Sequence, residues 1–243
     1  MHDLPAPPPG LLEGAALFLD FDGTLVELAE TPGSIHVSPE LPGLLKRLCA
    51  LVEGRIAIVS GRSIGDLDSH LDCSGIAVSG SHGLELRLAD GTHLPLFVPR
   101  PLDEVRGALA AFAEATPGLL IEEKPAGLAL HYRQAPEAEE RVLALTARLA
   151  AEHGLTLQQG KMVAELRPAG ADKGDAVRAL MAEPPFAGAR PVVVGDDLTD
   201  EHGFEAAAAM GGAGILVGEA RESAACYRLP DVASVAQWLA RAE

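Results

Sequence analysis

Residues 15–24 read Ala-Ala-Leu-Phe-Leu-Asp-Phe-Asp-Gly-Thr, and this stretch decides the fold. Ala15 to Leu19 is an unbroken apolar run, the pattern of a strand buried on both faces. Two carboxylates, Asp20 and Asp22, follow where that strand must end. If the chain is still extended, alternation puts them on one side, about 7 Å apart, with Phe21 facing away. Gly23 lets the backbone turn sharply and approach a ligand, and the Thr24 hydroxyl can anchor the turn. The carboxyl end of a strand in an open α/β sheet is where such sheets bind ligands. Asp-x-Asp alone is equally an Asx-type turn. The addition of Gly and Thr after a buried strand points further.

The chain on either side of this stretch supports such a sheet. Residues 55–60 (RIAIVS) form a second buried strand ending in Ser60-Gly61-Arg62. Helices expected over 39–52 and 64–71, with a strand over 76–79, give a βαβα rhythm and therefore parallel strands. Residues 83–96 alternate around Asp90-Gly91, a hairpin signal. From 101 to 168 the order changes to αββαββ: helices over 102–115 and 137–153, strands over 119–124, 127–133, 155–158 and 162–167. Pro125-Ala126 turns the first strand pair and Gly160 the second. A helix over 174–182, strands over 191–195 and 214–217, and a helix over 232–241 resume the first pattern. The expected fold class is α/β: a Rossmann-like parallel-sheet core over 15–100 and 169–243, with an inserted α+β domain over 101–168. The linkers fall near 97–101 and 168–172. Residues 1–14, rich in proline, are expected to be disordered.

Composition narrows the function. Hydrophobic residues make up 48% but aromatics only 4%, so Ala, Leu and Val must fill the core. A net charge of −16 argues against nucleic-acid or anionic-membrane partners. An anionic substrate remains compatible, because a metal ion and a few cations can reverse the field inside a cleft. Cys49, Cys73 and Cys226 lack metal-ligand spacing and read as free thiols. Neither a secretion signal nor an apolar run of membrane-spanning length is visible; residues 206–218 come nearest but are short and glycine-rich. The expectation is a soluble, cytoplasmic, monomeric protein with a small-molecule substrate.

A second acidic cluster follows the strand over 191–195: Asp196, Asp197, Asp200 and Glu201. Alone it is equally a solvated charge run or a helix start. If its strand lies beside the first, Asp20, Asp22, Asp196 and Asp197 converge. At 4 Å and an effective dielectric near 20, each like-charge pair costs about 4 kcal/mol, so such a site partly protonates or binds a metal. Oxygen donors without His or Cys favour Mg²⁺. Ser60 offers a hydroxyl, and the amides of Gly61 and Arg62 are expected to open a helix whose N-terminus favours anions. Lys173, followed by Gly174, starts another helix.

The order strand–DxDGT, strand–SGR, Lys-Gly at a helix start and strand–GDDxTDE resembles the four motifs of the haloacid dehalogenase-like (HAD) phosphohydrolases. The inserted module resembles that superfamily's second type of cap, C2. LDFDGTLVEL (19–28), AIVSGR (57–62), GSHGLE (80–85), IEEKPAGLALHYR (121–133), VAELRP (163–168), DKGDAV (172–177) and GDDLTDEHGF (195–204) are similar to the trehalose-6-phosphate phosphatase branch. The resemblance implies Asp20 as nucleophile forming an aspartyl phosphate, and Asp22 as general acid and base. It implies Mg²⁺ on the Asp20 side chain, the Asp22 carbonyl and Asp196, with Ser60 and Lys173 on the phosphoryl oxygens. Gly23, Thr24, Gly61, Arg62 and His82 would line the substrate from the core, and Glu122, Lys124 and Glu165 would bind sugar from the cap. Asp197 and Asp200 would orient water or Lys173. A cross-strand ion pair is the plain alternative for Glu122 and Lys124, and packing is the alternative for His131 and Tyr132. Other capped sugar-phosphate phosphatases, acting on sucrose phosphate or a glycosyl phosphoglycerate, compete with this reading, as more distantly does a receiver-like phosphoacceptor module.

Overall fold

A computed structural model describes residues 4–29, 34–94, 102–124, 127–160, 162–168 and 172–242. The expected turn at Pro125-Ala126, linker residues 97–101 and residues 169–171 lie outside that set. The chain divides into two compact units, Met1–Pro95 with Ala171–Glu243, and Leu96–Gly170.

In the first unit β1 (Ala15–Leu19) is buried throughout. It is followed by α1 (Leu41–Leu51), β2 (Ile56–Val59), α2 (Ile64–His70), β3 (Ala77–Gly80) and the hairpin β4 (Glu85–Arg87) and β5 (His93–Leu94). The second unit, beginning with α3 (Leu102–Glu114), adds β6 (Leu120–Lys124), β7 (Gly127–His131), α4 (Glu139–His153), β8 (Leu155–Gly160) and β9 (Val163–Pro168). The first unit then resumes with α5 (Lys173–Met181), β10 (Arg190–Gly195), α6 (Glu201–Ala209), β11 (Ala213–Val217), β12 (Tyr227–Leu229) and α7 (Val232–Ala240).

The α/β expectation holds. The first unit's sheet has the order β12-β11-β10-β1-β2-β3-β4-β5, parallel from β12 to β3 and antiparallel at the hairpin. Alternation along β1 feeds two cores: Leu17 and Leu19 pack with α1, α2 and α7, and Ala16 and Phe18 pack with α5 and α6. Because β1 continues to β2 on one side and takes β10 on the other, the strand order reverses at β1. That is where a parallel sheet opens a crevice at its carboxyl ends.

The expectation of disorder over residues 1–14 is corrected for residues 4–14. Pro9–Leu12 forms a 3₁₀ turn whose Leu11 and Leu12 are buried. Leu4 packs against the opposite core, and the Pro5 carbonyl accepts from the Arg228 amide at 3.0 Å. Prolines restrict the unfolded chain, so a proline-rich strap with leucines to bury orders at low entropic cost.

The second unit is a four-stranded antiparallel sheet, β6-β7-β9-β8. Leu128, Leu130, Ala164 and Leu166 share a core with Val105, Leu109, Val142 and Leu149 of α3 and α4. The intervening positions belong to the other face. There Glu122 and Glu165 flank Ala129 from the two neighbouring strands. The helix expected from 137 begins at Glu139, after a 3₁₀ turn over Pro136–Ala138, and Gly154 ends it in a left-handed cap. Among the described residues no helix is long and apolar enough to cross a membrane.

Candidate active site

The carboxyl ends of β1, β2 and β10 carry the polar clusters the sequence places there. Asp20 follows β1, fixed by its amide donating to the Val194 carbonyl at 2.9 Å, and is 5% exposed. The chain then leaves the sheet: the amides of Leu25 and Val26 donate to the Phe21 carbonyl at 2.9 and 3.0 Å, closing a tight loop over residues 21–26. Gly23 sits in that loop at φ +77°.

The loop sends the two aspartates to different partners. Lys173 Nζ, at the first position of α5, donates to Asp20 Oδ1 at 2.6 Å and to Asp200 Oδ1 at 2.7 Å. Asp22 instead accepts from Arg62, Nε to Oδ2 at 2.6 Å and Nη2 to Oδ1 at 2.7 Å. The Asp172 capping box, with Asp175 as its partner, fixes the start of α5 and so aims Lys173. Burial works against the Lys173 charge, but the facing carboxylates of Asp20 and Asp200 outweigh it and hold the ammonium above its usual range.

Asp20, Asp196 and Asp200 present carboxylate oxygens within 4.8 Å of one another. Burial, opposed by Lys173 and reinforced by Asp200 and Asp196, keeps the Asp20 carboxyl well above the usual carboxylate range. Burial and then the Asp200 charge move Asp196 the same way. Three acids facing one ammonium leave negative charge uncompensated, so the donor set fits a hard divalent cation. Asp200 is the member whose oxygens are taken, one by Lys173 and the other by the Asp197 amide at 3.0 Å. Asp20 and Asp196 are the freer pair, and the Thr24 hydroxyl approaches Asp196 Oδ1 at 3.5 Å. Asp197 is exposed and caps the 3₁₀ turn Leu198–Asp200.

Ser60 follows β2, 1% exposed, and its Oγ accepts from the Arg62 amide at 3.1 Å, leaving the hydroxyl proton to donate. The amides of Gly61 and Arg62 do not open the helix, which starts at Ile64 where the periodicity places it; its first amide donates to Glu85 Oε2 at 2.7 Å, and Ser63 Oγ accepts from the Asp66 amide. A carboxylate of the chain already meets that N-terminus. The His82 ring lies against Gly61, 2.6 Å from where a Cβ would stand, and His82 itself adopts φ +56°.

In the second unit Glu122 and Glu165 stand on one sheet face. Glu122 Oε2 lies 2.8 Å from His131 Nε2, a diagonal contact on the adjacent strand, so the glutamate's charge partner there is this histidine. Tyr132 is buried and donates to Glu139 at 3.0 Å. The Lys124 side chain lies outside the described residues. Arg221 escaped the sequence reading. It donates to the carbonyls of Asp197 at 2.9 Å and Asp196 at 3.4 Å and pairs with Glu201, bracing the acidic loop from behind. Only its distance from the motif, 24 residues past Asp197, hid it.

Comparison with known proteins shows the family. A trehalose-phosphatase family model matches residues 18–233. A probable trehalose-phosphate phosphatase of Sinorhizobium fredii is 40% identical over 85% of this chain and 79% of its own. The trehalose-6-phosphate phosphatase of Escherichia coli is 37% identical over 95% and 87%. A phosphatase of the haloalkanoate (HAD) superfamily from Bacteroides thetaiotaomicron shares the fold, with TM-score 0.66 and 20% identity over 96% of each chain. The match runs through both units and the stretches at 19–28, 57–62, 172–177 and 195–204, and the chain belongs to the trehalose-phosphatase family of phosphoric monoester hydrolases.

Proposed function

We propose that this protein hydrolyses trehalose 6-phosphate to trehalose and phosphate through an aspartyl phosphate on Asp20, with Mg²⁺ as its metal. The observation that carries the reading is a buried aspartate at the end of the central strand, held 2.6 Å from a buried lysine, with a second aspartate two residues on.

An Asp20 oxygen attacks phosphorus as the bond to the sugar oxygen breaks, and Asp22 gives its proton to that oxygen. Asp22, now a carboxylate, takes a proton from water as the water attacks the phosphoenzyme and the Asp20–phosphorus bond breaks. Lys173 and the Ser60 hydroxyl hold the phosphoryl oxygens, and the lysine turns Asp20 toward phosphorus. Asp20 and Asp196, with the Asp22 carbonyl, would hold the Mg²⁺. When bound, that ion offsets the repulsion between nucleophile and phosphate. Glu122, Lys124 and Glu165 of the second unit read the sugar. Asp200 orients Lys173, and Asp197 braces Asp200.

The test is a phosphate-release panel across sugar phosphates, with trapping by beryllium fluoride. Trehalose 6-phosphate is expected to be the preferred substrate, and Asp20→Asn to lose both turnover and trapping. Retained turnover in Asp20→Asn removes the nucleophile assignment; preference for sucrose or glucose phosphates removes the substrate assignment alone.

A further inference from the structure

The family resemblance gives Arg62 to the substrate, but its guanidinium is engaged with aspartates. Nε and Nη2 grip both oxygens of Asp22, and Nη1 donates to Asp66 Oδ2 at 2.7 Å. The guanidinium carbon also stands 5.8 Å from the Phe21 ring centroid. The exposures are asymmetric: the arginine side chain is 10% exposed, the Asp22 side chain 29%. The cation is thus the more deeply buried member of the pair, and the carboxylate is the more accessible one.

We propose that Arg62 is a positioning residue for the reaction: its two-point grip sets the plane and rotamer of Asp22, and Asp66 fixes the guanidinium that does so. This rests on the reading of Asp22 as general acid and base. An aspartate held by one hydrogen bond still turns about its last bond; a planar fork matched to both oxygens removes that rotation. Asp22 and Arg62 are 40 residues apart, so the grip also ties the loop after β1 to the segment after β2. Proton transfer at Asp22 needs one of its oxygens released. The bond to Asp66 keeps the guanidinium in place while the grip changes from two points to one. Lysine offers a point charge and cannot reproduce the fork.

The experiment uses esters without a sugar, so that no sugar contact enters: 4-nitrophenyl, phenyl and methyl phosphate. Nitrophenolate departs without a proton, whereas methoxide needs one. Arg62→Lys is expected to lower kcat/KM about threefold on the nitrophenyl ester and about a hundredfold on methyl phosphate, within the range a positioned general acid supplies. Asp66→Asn, a milder change, follows the same gradient with smaller losses. Added guanidinium restores Arg62→Ala more on the methyl ester than on the nitrophenyl ester. Equal losses on all three esters, or a loss confined to trehalose 6-phosphate, overturns the proposal. Asp22→Asn runs alongside: if it shows no leaving-group gradient, the acid–base reading itself fails. If it shows one and the Arg62 variants do not, only the positioning role fails.

Discussion

The carboxylate of Asp196 occupies the space a side chain on Gly23 would need: Oδ2 lies 2.1 Å from the position of that Cβ. Gly23 also stands at φ +77°, where a Cβ costs about 1–2 kcal/mol. Two independent reasons therefore demand glycine, and one of them is a carboxylate of the acidic cluster. Gly23→Ala is expected to push Asp196 out of place, reducing kcat/KM at least about a hundredfold while the melting temperature falls by only a few degrees. Phosphate release and thermal unfolding on one preparation check this. Near-normal turnover would mean that Asp196 needs no fixed position.

Lys173 is 4% exposed and sits between two buried carboxylates. Lys173→Met removes the cation and leaves Asp20 and Asp200 facing each other. Breaking such a buried arrangement from one side costs about 3–5 kcal/mol. Urea unfolding at neutral pH is expected to show a loss of that order, together with loss of activity. If stability is unchanged, Asp20 and Asp200 are neutral in the folded protein and the pairing contributes nothing.

Much of this was legible in the sequence because it is local. An apolar run ending in polar residues marks β1, β2 and β10, and their shared carboxyl edge follows from the βαβ rhythm. Contacts between distant segments were not legible. Nothing in the periodicity says that Arg62 turns to Asp22, 40 residues earlier, or that Arg221 braces the Asp196–Asp197 carbonyls. The apolar stretch 206–218 reads as one run, yet it is the end of α6, a turn at Gly211 and all of β11. The strap over residues 4–14 looked disordered because composition registers its prolines and not the core that buries Leu11 and Leu12.

Arg221 gives a prediction about the metal. With Arg221→Met the Asp196 and Asp197 carbonyls lose the guanidinium that ties them together, the Asp197 carbonyl keeping the Asp200 amide at 3.1 Å, and Glu201, which also accepts from Ser223 Oγ and the Ala224 amide, loses its cation. The acidic loop then loosens. Chelation should abolish wild-type activity and Mg²⁺ restore it, with Ca²⁺ a poor substitute because its larger shell misplaces the ligands. In Arg221→Met the Mg²⁺ concentration giving half the metal-dependent thermal shift should rise about tenfold, or about 1.4 kcal/mol. An unchanged midpoint would leave Arg221 with a structural role only.

Cys73 is 2% exposed, and burial, then Asp68, pushes its thiol up to about 11. Only the thiolate reacts, so at pH 8 its available fraction falls about a hundredfold relative to an ordinary thiol. Iodoacetamide should modify exposed Cys226 in the native protein and spare Cys73 until the chain is unfolded. The linkage has a definite sign. A raised folded value means that the protonated thiol stabilises the fold below about pH 9, and that this contribution is lost toward pH 11. Rapid native alkylation at Cys73 would show that this part of the core opens readily.

The proposal that Glu122, Lys124 and Glu165 read the sugar has a test that separates sugar reading from chemistry. Glu122 and Glu165 flank Ala129 on one sheet face, with no apolar packing role on that side. A lost charged hydrogen bond to a sugar hydroxyl costs about 1.5–3 kcal/mol, roughly ten- to hundredfold in rate. Glu122→Ala and Glu165→Ala should therefore lower kcat/KM on trehalose 6-phosphate by that factor and affect 4-nitrophenyl phosphate far less. Lys124→Ala is expected to behave likewise. Glu122 carries a complication, because its partner at 2.8 Å is His131. If the pair is only a strand-to-strand contact, His131→Gln and Glu122→Ala should lose stability together and leave the preference between the two esters unchanged. If Glu122 reads the sugar and His131 merely steadies it, Glu122→Ala loses the preference and His131→Gln keeps most of it. Equal losses on both substrates in all the variants would show that these glutamates support the fold, and that discrimination lies elsewhere in the chain.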